Sequence, residues 1–297
     1  MLMLAPICLF TYNRLDETRQ TVEALKCNFL ASLSCLYIFS DGPKDETTTQ
    51  KVNEVRQFLK TINGFKAIKI FESPINRGLA NSIIDGVTQI IEKYGRVIVL
   101  EDDLITSPNF LDFMNHALNF YLSNDKIFSI SGYTMDLPSL KMYNKDYYLS
   151  YRASSWGWAT WKNRWQTVDW EMCDYNSFEL NPIQQIKFMR GGSDMPYMLW
   201  KQMNGKIDSW AIRWCYNQFK NDQLTIYPTV SKIYNIGFGD NSTHTKTGWH
   251  FNPNNFIQAK TDNFNFDNYP SINRNISKEF RSVFSVYNRI KNKILQK

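Results

Sequence analysis

"RVIVLEDDL" (96–104) runs from an apolar stretch straight into Glu101, Asp102 and Asp103. Val97, Ile98, Val99 and Leu100 follow one another with no polar alternation, which is how a strand buried on both faces reads. Such strands belong to mainly parallel sheets covered by helices, so three carboxylates at the carboxyl end of one require an explanation. Adjacent carboxylates repel unless a positive charge lies between them. A hard divalent cation supplies that charge, using one or two carboxylates together with phosphate oxygens. The competing reading is that Asp102 or Asp103 caps the turn or helix that follows. Alternation along an extended segment predicts that Glu101 and Asp103 share one side while Asp102 faces the other.

Outward from this stretch the same design repeats. "LAPICLF" (4–10), "LYIF" (36–39), "AIKIF" (67–71) and "IFSIS" (127–131) read as strands. Helical segments separate them, from about Leu15, over "DETTTQKVNEVRQFLKTI" (45–62), over "LANSIIDGVTQIIEKY" (79–94) and from Pro108 to Leu122. Apolar strands alternating with helices predict an α/β fold with a mainly parallel sheet flanked by helices. Ligands of such sheets lie beyond the carboxyl ends of the strands. "TYNR" (11–14), "SDGP" (40–43) and "SPINRGLANS" (73–82) occupy those ends alongside the acidic triplet. Any one of them is ordinary turn chemistry, but together they describe one polar edge.

After Gly132 the pattern changes. A Trp-rich segment, "YRASSWGWATWKNRW" (151–165), precedes helical stretches near 182–190, 194–203 and 209–220, then a strand "LTIYP" (224–228) and "VSKIYNIGFGDNSTHT" (230–245). The tail from about 246 to 280 reads as irregular. There is no internal repeat. The expected organisation is an α/β half over 1–131, a second half of the same domain over 132–245, and a C-terminal tail over 246–297.

The composition suits a globular protein of 297 residues, with 43% hydrophobic and 15% aromatic residues. A net charge of +6 is spread along the chain and does not by itself imply nucleic acid. Its clearest cluster, "NRIKNKILQK" (288–297), leaves open a solvated last helix or contact with an anionic membrane surface. Five cysteines without regular spacing read as reduced, mostly buried thiols of a cytoplasmic protein. "MLMLAPICLF" (1–10) lacks a basic start and is interrupted by Pro6, so it reads as a first core strand and not a signal peptide. No stretch has the roughly 18 continuous apolar residues of a transmembrane helix.

With "LEDDL" after the fourth strand, "TYNR" after the first, "SDG" after the second and "NRG" after the third, the chain resembles the GT-A glycosyltransferases. Among them it is most similar to N-acetylglucosaminyltransferase I and to bacterial family-2-type sugar transferases with "SSWGWATW" and "NIGF…TH" segments. The resemblance covers about residues 4 to 245. It implies a Rossmann-like GT-A sheet with an acceptor-side C-terminal subregion, and Mn²⁺ or Mg²⁺ as cofactor. Asp103 would hold the ion, Asp102 would lie near the ribose or the ion, and Glu101 near the donor sugar. Asp41 resembles the residue that binds uracil, although Asp in this setting also forms turns. Thr11, Asn13 and Arg14 would line the nucleotide pocket. Arg77 and Asn81 would reach the diphosphate or sugar, against readings as a surface ion pair and a plain helix residue. Trp156, Gly157 and Trp158 would wall the sugar, or pack the core. His244 is a candidate metal ligand, with a structural histidine as the alternative.

An inverting transferase also needs a base for the acceptor hydroxyl. In N-acetylglucosaminyltransferase I that base is an aspartate near the start of a helix after the Trp-rich segment; "GKIDSWAIRW" (205–214) looks similar, and the resemblance nominates Asp208, which is equally what a helix cap looks like. Asp194 stands in reserve. The expected reaction is transfer of a hexosyl or N-acetylhexosaminyl group from a nucleotide-sugar, UDP-linked, to a hydroxyl of a surface glycan or lipid-linked acceptor. Two alternatives stay open. A sugar nucleotidyltransferase would share the sheet, but "TYNR" lacks a Gly-rich phosphate loop with its Lys. A non-catalytic glycan-binding protein of the same fold would have no use for three repelling carboxylates.

Overall fold

The computed structural model describes residues 4–237, 252, 263–285 and 287. In its first half β1 (Ile7–Thr11), α1 (Leu15–Lys26), β2 (Cys35–Ser40), α2 (Glu46–Leu59), β3 (Ala67–Glu72), α3 (Leu79–Tyr94) and β4 (Arg96–Glu101) alternate as their periodicities predict. These four strands pair in parallel, with Ile7 of β1 opposite Leu36 of β2 and Ile98 of β4. Strands β1 and β4 are buried along their apolar lengths, whereas β3 at the sheet edge is half-exposed. Asp45 opens α2 with a reciprocal capping box on Thr48. Gly78 and Gly95, both at positive φ, bracket α3. Gly86 of α3 lies against the sheet so closely that a side-chain carbon there would fall 2.8 Å from the Phe10 ring.

Beyond the acidic triplet come β5 (Leu104–Thr106), α4 (Phe110–Phe120), β6 (Ile127–Ser131), β7 (Tyr147–Ser150) and β8 (Trp158–Trp161). Four helices follow one another, α5 (Lys162–Trp165), α6 (Tyr175–Glu179), α7 (Pro182–Phe188) and α8 (Met195–Met203), and then α9 (Trp210–Lys220), β9 (Leu224–Pro228), β10 (Ile233–Asn235) and α10 (Arg274–Val283). The eight-stranded sheet has the order β3-β2-β1-β4-β8-β6-β9-β7. Strand β8 runs antiparallel between β4 and β6 and so joins the two halves through one sheet. The α/β sheet flanked by helices is therefore the fold expected. The sequence reading did not anticipate β7 and β8. Their residues, Tyr-Tyr-Leu-Ser and Trp-Ala-Thr-Trp, are all buried and lack the alternation that announces a strand.

Alternation on β1 divides the interior in two. Ile7 and Leu9 face the core shared with α1, α4 and α10, and Cys8 and Phe10 face the core shared with α3, α8 and α9. In the second core Trp158 packs against Trp165, Trp210 and Trp214 at centroid distances of 5.7, 5.1 and 5.4 Å. Trp158 is thus a core residue and not a wall facing sugar. The tail also differs from expectation, since α10 is helical and buries Ile276 and Phe280. Its apolar spacing covers too few turns to stand out beside an Asn-rich neighbourhood.

Cys8 and Cys215 are buried, Cys35 is half-buried, and Cys27 and Cys173 are exposed, so the thiols are less buried as a set than expected. Among the described residues no helix is long and apolar enough to cross a membrane. The basic segment 288–297 lies outside the described residues.

Candidate functional site

Strand β4 ends at Glu101, and Asp102 and Asp103 form the turn into β5. That turn cancels the strand alternation. The two carboxylates do not point oppositely but converge on one atom, Nη2 of Arg14, which contacts Asp102 Oδ1 and lies 3.0 Å from Asp103 Oδ2. Arg14 stands at the start of α1, its carbonyl accepting from Thr18 N at 3.0 Å, and its side chain crosses to the β4 end. The Asp102 backbone is tied to the same helix by Thr21 Oγ1, which donates to its carbonyl at 2.9 Å. Burial raises the Glu101 carboxyl to about 8, with the repulsion of Asp103 and Asp102 acting the same way. Asp102 rises to about 6 through burial, against the pull of Arg14. Burial disfavours the charge on Arg14, but Asp102 and Asp103 outweigh it and hold the guanidinium protonated.

A second strand pair closes on the first. β10 pairs antiparallel with β5, and the pairing continues as Ile236 N donates to the Asp103 carbonyl at 2.9 Å. The chain then lies directly on the Asp103 side chain, because a side-chain carbon added at Gly237 would fall 2.0 Å from Asp103 Oδ2. Sequence reasoning passed over Gly237, whose only signal is a glycine within "NIGF" (235–238).

At the end of β1, Thr11 is 4% exposed. Thr11 Oγ1 and the neighbouring Tyr12 hydroxyl are buried without a hydrogen-bond partner. Buried polar atoms are nearly always satisfied, so orphans at a ligand-facing edge are candidates to meet a ligand. Asn13 is half-buried on the same turn.

Asp41 holds the next loop together. Its N–H donates to the Thr11 carbonyl at 3.0 Å. Its Oδ1 accepts from Gly42 N at 2.9 Å and Arg77 N at 2.8 Å, and its Oδ2 from Gly78 N at 3.0 Å and Asn76 Nδ2 at 3.1 Å. Gly42 is needed for that closure, since a side-chain carbon there would meet the Ile75 carbonyl carbon at 2.4 Å. The Arg77 guanidinium pairs with Asp85 at the surface, and Asn81 Nδ2 donates to the Arg77 carbonyl at 2.9 Å. In this state Arg77 and Asn81 organise the start of α3, and Asp41 anchors the loop before it.

Asp208 is exposed just before α9. The cap belongs to Ser209, whose side chain accepts from Ile212 N at 3.4 Å, so Asp208 is released from that duty. Its Oδ2 lies 3.9 Å from where a side-chain carbon at Gly78 would stand, which places it against the loop that Asp41 organises. Asp194, by contrast, is buried and held by Arg152 through bonds of 2.8 and 3.2 Å. Trp156 is half-buried and packs edge-on against Tyr133 at 4.5 Å. Gly157 serves packing, with φ of 60° and a hypothetical side-chain carbon only 2.7 Å from Ile233 Cδ1. His244 lies outside the described residues.

Among the described residues no three Asp, Glu, His or Cys side chains gather as a metal cluster. The donor set nevertheless fits a hard divalent ion of the Mn²⁺ or Mg²⁺ kind. Two carboxylate oxygens converge on one point already occupied by a cationic nitrogen, and such ions take one or two carboxylates with phosphate oxygens completing the shell.

No protein-family profile matches the chain, and no curated protein does. Among solved structures it is similar to the mannosyltransferase PcManGT from Pyrobaculum calidifontis, in complex with GDP-Man and Mn²⁺, at 10% identity and a TM-score of 0.40. That match covers 54% of this chain and 46% of the other. It is also similar to residues 1–349 of S. aureus TarS, at 9% identity and a TM-score of 0.42 over 78% of this chain and 60% of that one. A longer TarS structure matches at 15% identity and a TM-score of 0.31, over 43% and 21% of the respective chains. The chain thus spans less than two thirds of each. Likeness at this level carries neither a ligand nor a reaction across.

Proposed function

We propose that the protein is a metal-dependent, inverting glycosyltransferase that moves a sugar from a nucleotide-sugar, UDP-linked, to a hydroxyl of a glycan or lipid-linked acceptor. The observation that carries this reading is the convergence of Asp102 and Asp103 on a single cationic position at the carboxyl edge of the sheet. Thr11, Asn13 and Arg14 would receive the nucleotide beside it, with Asp41 holding the loop against which it rests. Asp103, together with Asp102, would hold the ion, and His244 is the further candidate ligand. A divalent ion bound there supplies positive charge to the diphosphate as it departs.

The chain's own residues account for the other half of the reaction. Asp208 accepts the proton of the acceptor hydroxyl, whose oxygen forms a bond to the anomeric carbon on the face opposite the diphosphate. The bond from that carbon to the phosphate oxygen breaks, and the electron pair leaves with the nucleoside diphosphate. In this reading Arg14 would meet the phosphates, Arg77 and Asn81 would do so once Arg77 leaves its surface pairing with Asp85, Glu101 would face the donor sugar, and Trp156, half-buried where Trp158 is in the core, would offer it a ring. Gly157 would act through packing, by its close approach to Ile233 of β10.

The test is a panel of nucleotide-sugars assayed for hydrolysis and for thermal shift with and without Mn²⁺, in the wild type and in Asp103→Ala. The expected result is a Mn²⁺-dependent response to one UDP-sugar that Asp103→Ala abolishes. Undiminished turnover in that variant would remove the metal assignment.

A further inference from the structure

We propose that Arg14 is the resident counter-ion of the Asp102 and Asp103 pair in the ligand-free protein, and that a divalent cation enters only when the nucleotide diphosphate draws this guanidinium away. The inference rests on the metal-dependent reading above. Its own ground is the contact set of a single nitrogen. Arg14 Nη2 touches Asp102 and stands 3.0 Å from Asp103 Oδ2, so it fills the point where an ion bridging the two carboxylates would lie. Two cations cannot share that point, because their repulsion at a separation of a few ångströms in a partly buried site is only weakly screened.

Other approaches to Asp103 are restricted. Gly237 closes one side of its carboxylate so tightly that even a methyl group would overlap Oδ2, and the Asp103 carbonyl is taken by Ile236 N at 2.9 Å. Arg14 is placed to leave. Its backbone is held by the first turn of α1, where Thr18 N donates to its carbonyl at 3.0 Å, while among the described residues its guanidinium bonds to the two aspartates alone. A diphosphate offers a guanidinium two oxygens for parallel, charge-assisted hydrogen bonds, where the aspartates now engage a single nitrogen, Nη2, through one oxygen each. Exchange of partners therefore costs Arg14 little and frees the carboxylates at the moment the phosphate oxygens needed by the ion arrive. Arg14 is in this sense a positioning residue, coupling the ion to the nucleotide.

The experiment is a titration of the full chain with Mn²⁺ alone, read by the electron paramagnetic resonance signal of free Mn²⁺, without nucleotide or turnover. Wild type, Arg14→Met and Arg14→Gln are compared. The expected result is that removing the charge tightens Mn²⁺ binding by about tenfold or more, and that adding Asp103→Asn to Arg14→Met cancels the gain. Arg14→Gln, which retains a neutral donor for the same carboxylates, serves if Arg14→Met does not fold. Equal or weaker Mn²⁺ binding in the folded variants overturns the proposal. A thermal shift of the wild type by UDP with Mn²⁺ separates the two levels. Its absence defeats the glycosyltransferase reading, whereas its presence beside unchanged Mn²⁺ affinities defeats the counter-ion alone.

Discussion

The base role proposed for Asp208 is compatible with its surroundings, because Ser209 and not Asp208 caps α9. With its carboxylate exposed against the Gly78 loop, Asp208→Asn should lower transfer by roughly 10²- to 10⁴-fold, the usual contribution of a general base. Mn²⁺ and nucleotide binding, read by thermal shift, should persist in that variant, since nothing places Asp208 on the phosphates. A different residue sets a pH dependence of stability. Lys232 is 5% exposed, and burial lowers its ammonium to about 8 while Asp146 pulls the other way. Its folded pKa lies below the unfolded value near 10.4, so between about 8 and 10.4 the unfolded chain holds the extra proton and stability rises with pH. Below that window the whole penalty, about 3 kcal/mol, is present. Lys232→Met should therefore be more stable than the wild type in urea at pH 7 and lose most of its advantage by pH 10. At this scale the sequence was informative about residue type and silent about pairing. The aspartate before "SWAIRW" and the acids after "RVIVL" could be picked out, but that Arg14 spans Asp102 and Asp103 follows from a turn that no periodicity records.

Elements were legible where local chemistry brackets them. Helix α3 begins and ends at the residues expected because Gly78 and Gly95 supply the positive φ at each end, and β6 and β9 also fall where their apolar runs do. Strand β8 was not, since its place depends on β4 and β6, which lie far away in sequence and receive it antiparallel. Its entry hinges on Gly157, where a positive φ coincides with close contact to Ile233 of β10. Gly157→Ala should cost about 1–2 kcal/mol through backbone strain alone. It should also displace β10, whose continuation through Ile236 and Gly237 covers Asp103. The expected signature is a lower melting temperature together with weaker Mn²⁺-nucleotide binding, measured by calorimetry. Weaker stability with binding intact would mean that β10 adjusts without moving the cover over Asp103.

Across the whole molecule the two halves share one sheet, so the placement of Asp208 beside the Gly78 loop, which Asp41 holds, depends on both being folded together. Every one of the nine tryptophans lies between Trp156 and Trp249, so tryptophan emission reports on the second half and on its contact with the first, and on the rest of the first half not at all. Helical circular dichroism reports on both, because α1, α2 and α3 stand in the first. A chain of 297 residues is large enough for its parts to unfold separately. Here the core opposes separation. Cys8 and Phe10 of β1 and Val97 and Val99 of β4 are packed in one cluster with Trp158, Trp210 and Trp214. Unfolding the second half alone would expose that face of β1 and β4 and leave β4 without its antiparallel neighbour. Urea titration should therefore give coincident midpoints by emission and by circular dichroism. Phe280→Ala, which empties the contact of α10 with Tyr148 and Tyr227, should move both midpoints together by the equivalent of about 3–5 kcal/mol. An emission transition that precedes the loss of helix would instead make the second half a separately folding unit. Asp208 would then reach the Gly78 loop by docking, and nucleotide, which on the proposed reading meets mainly the first half, would leave the emission midpoint where it was.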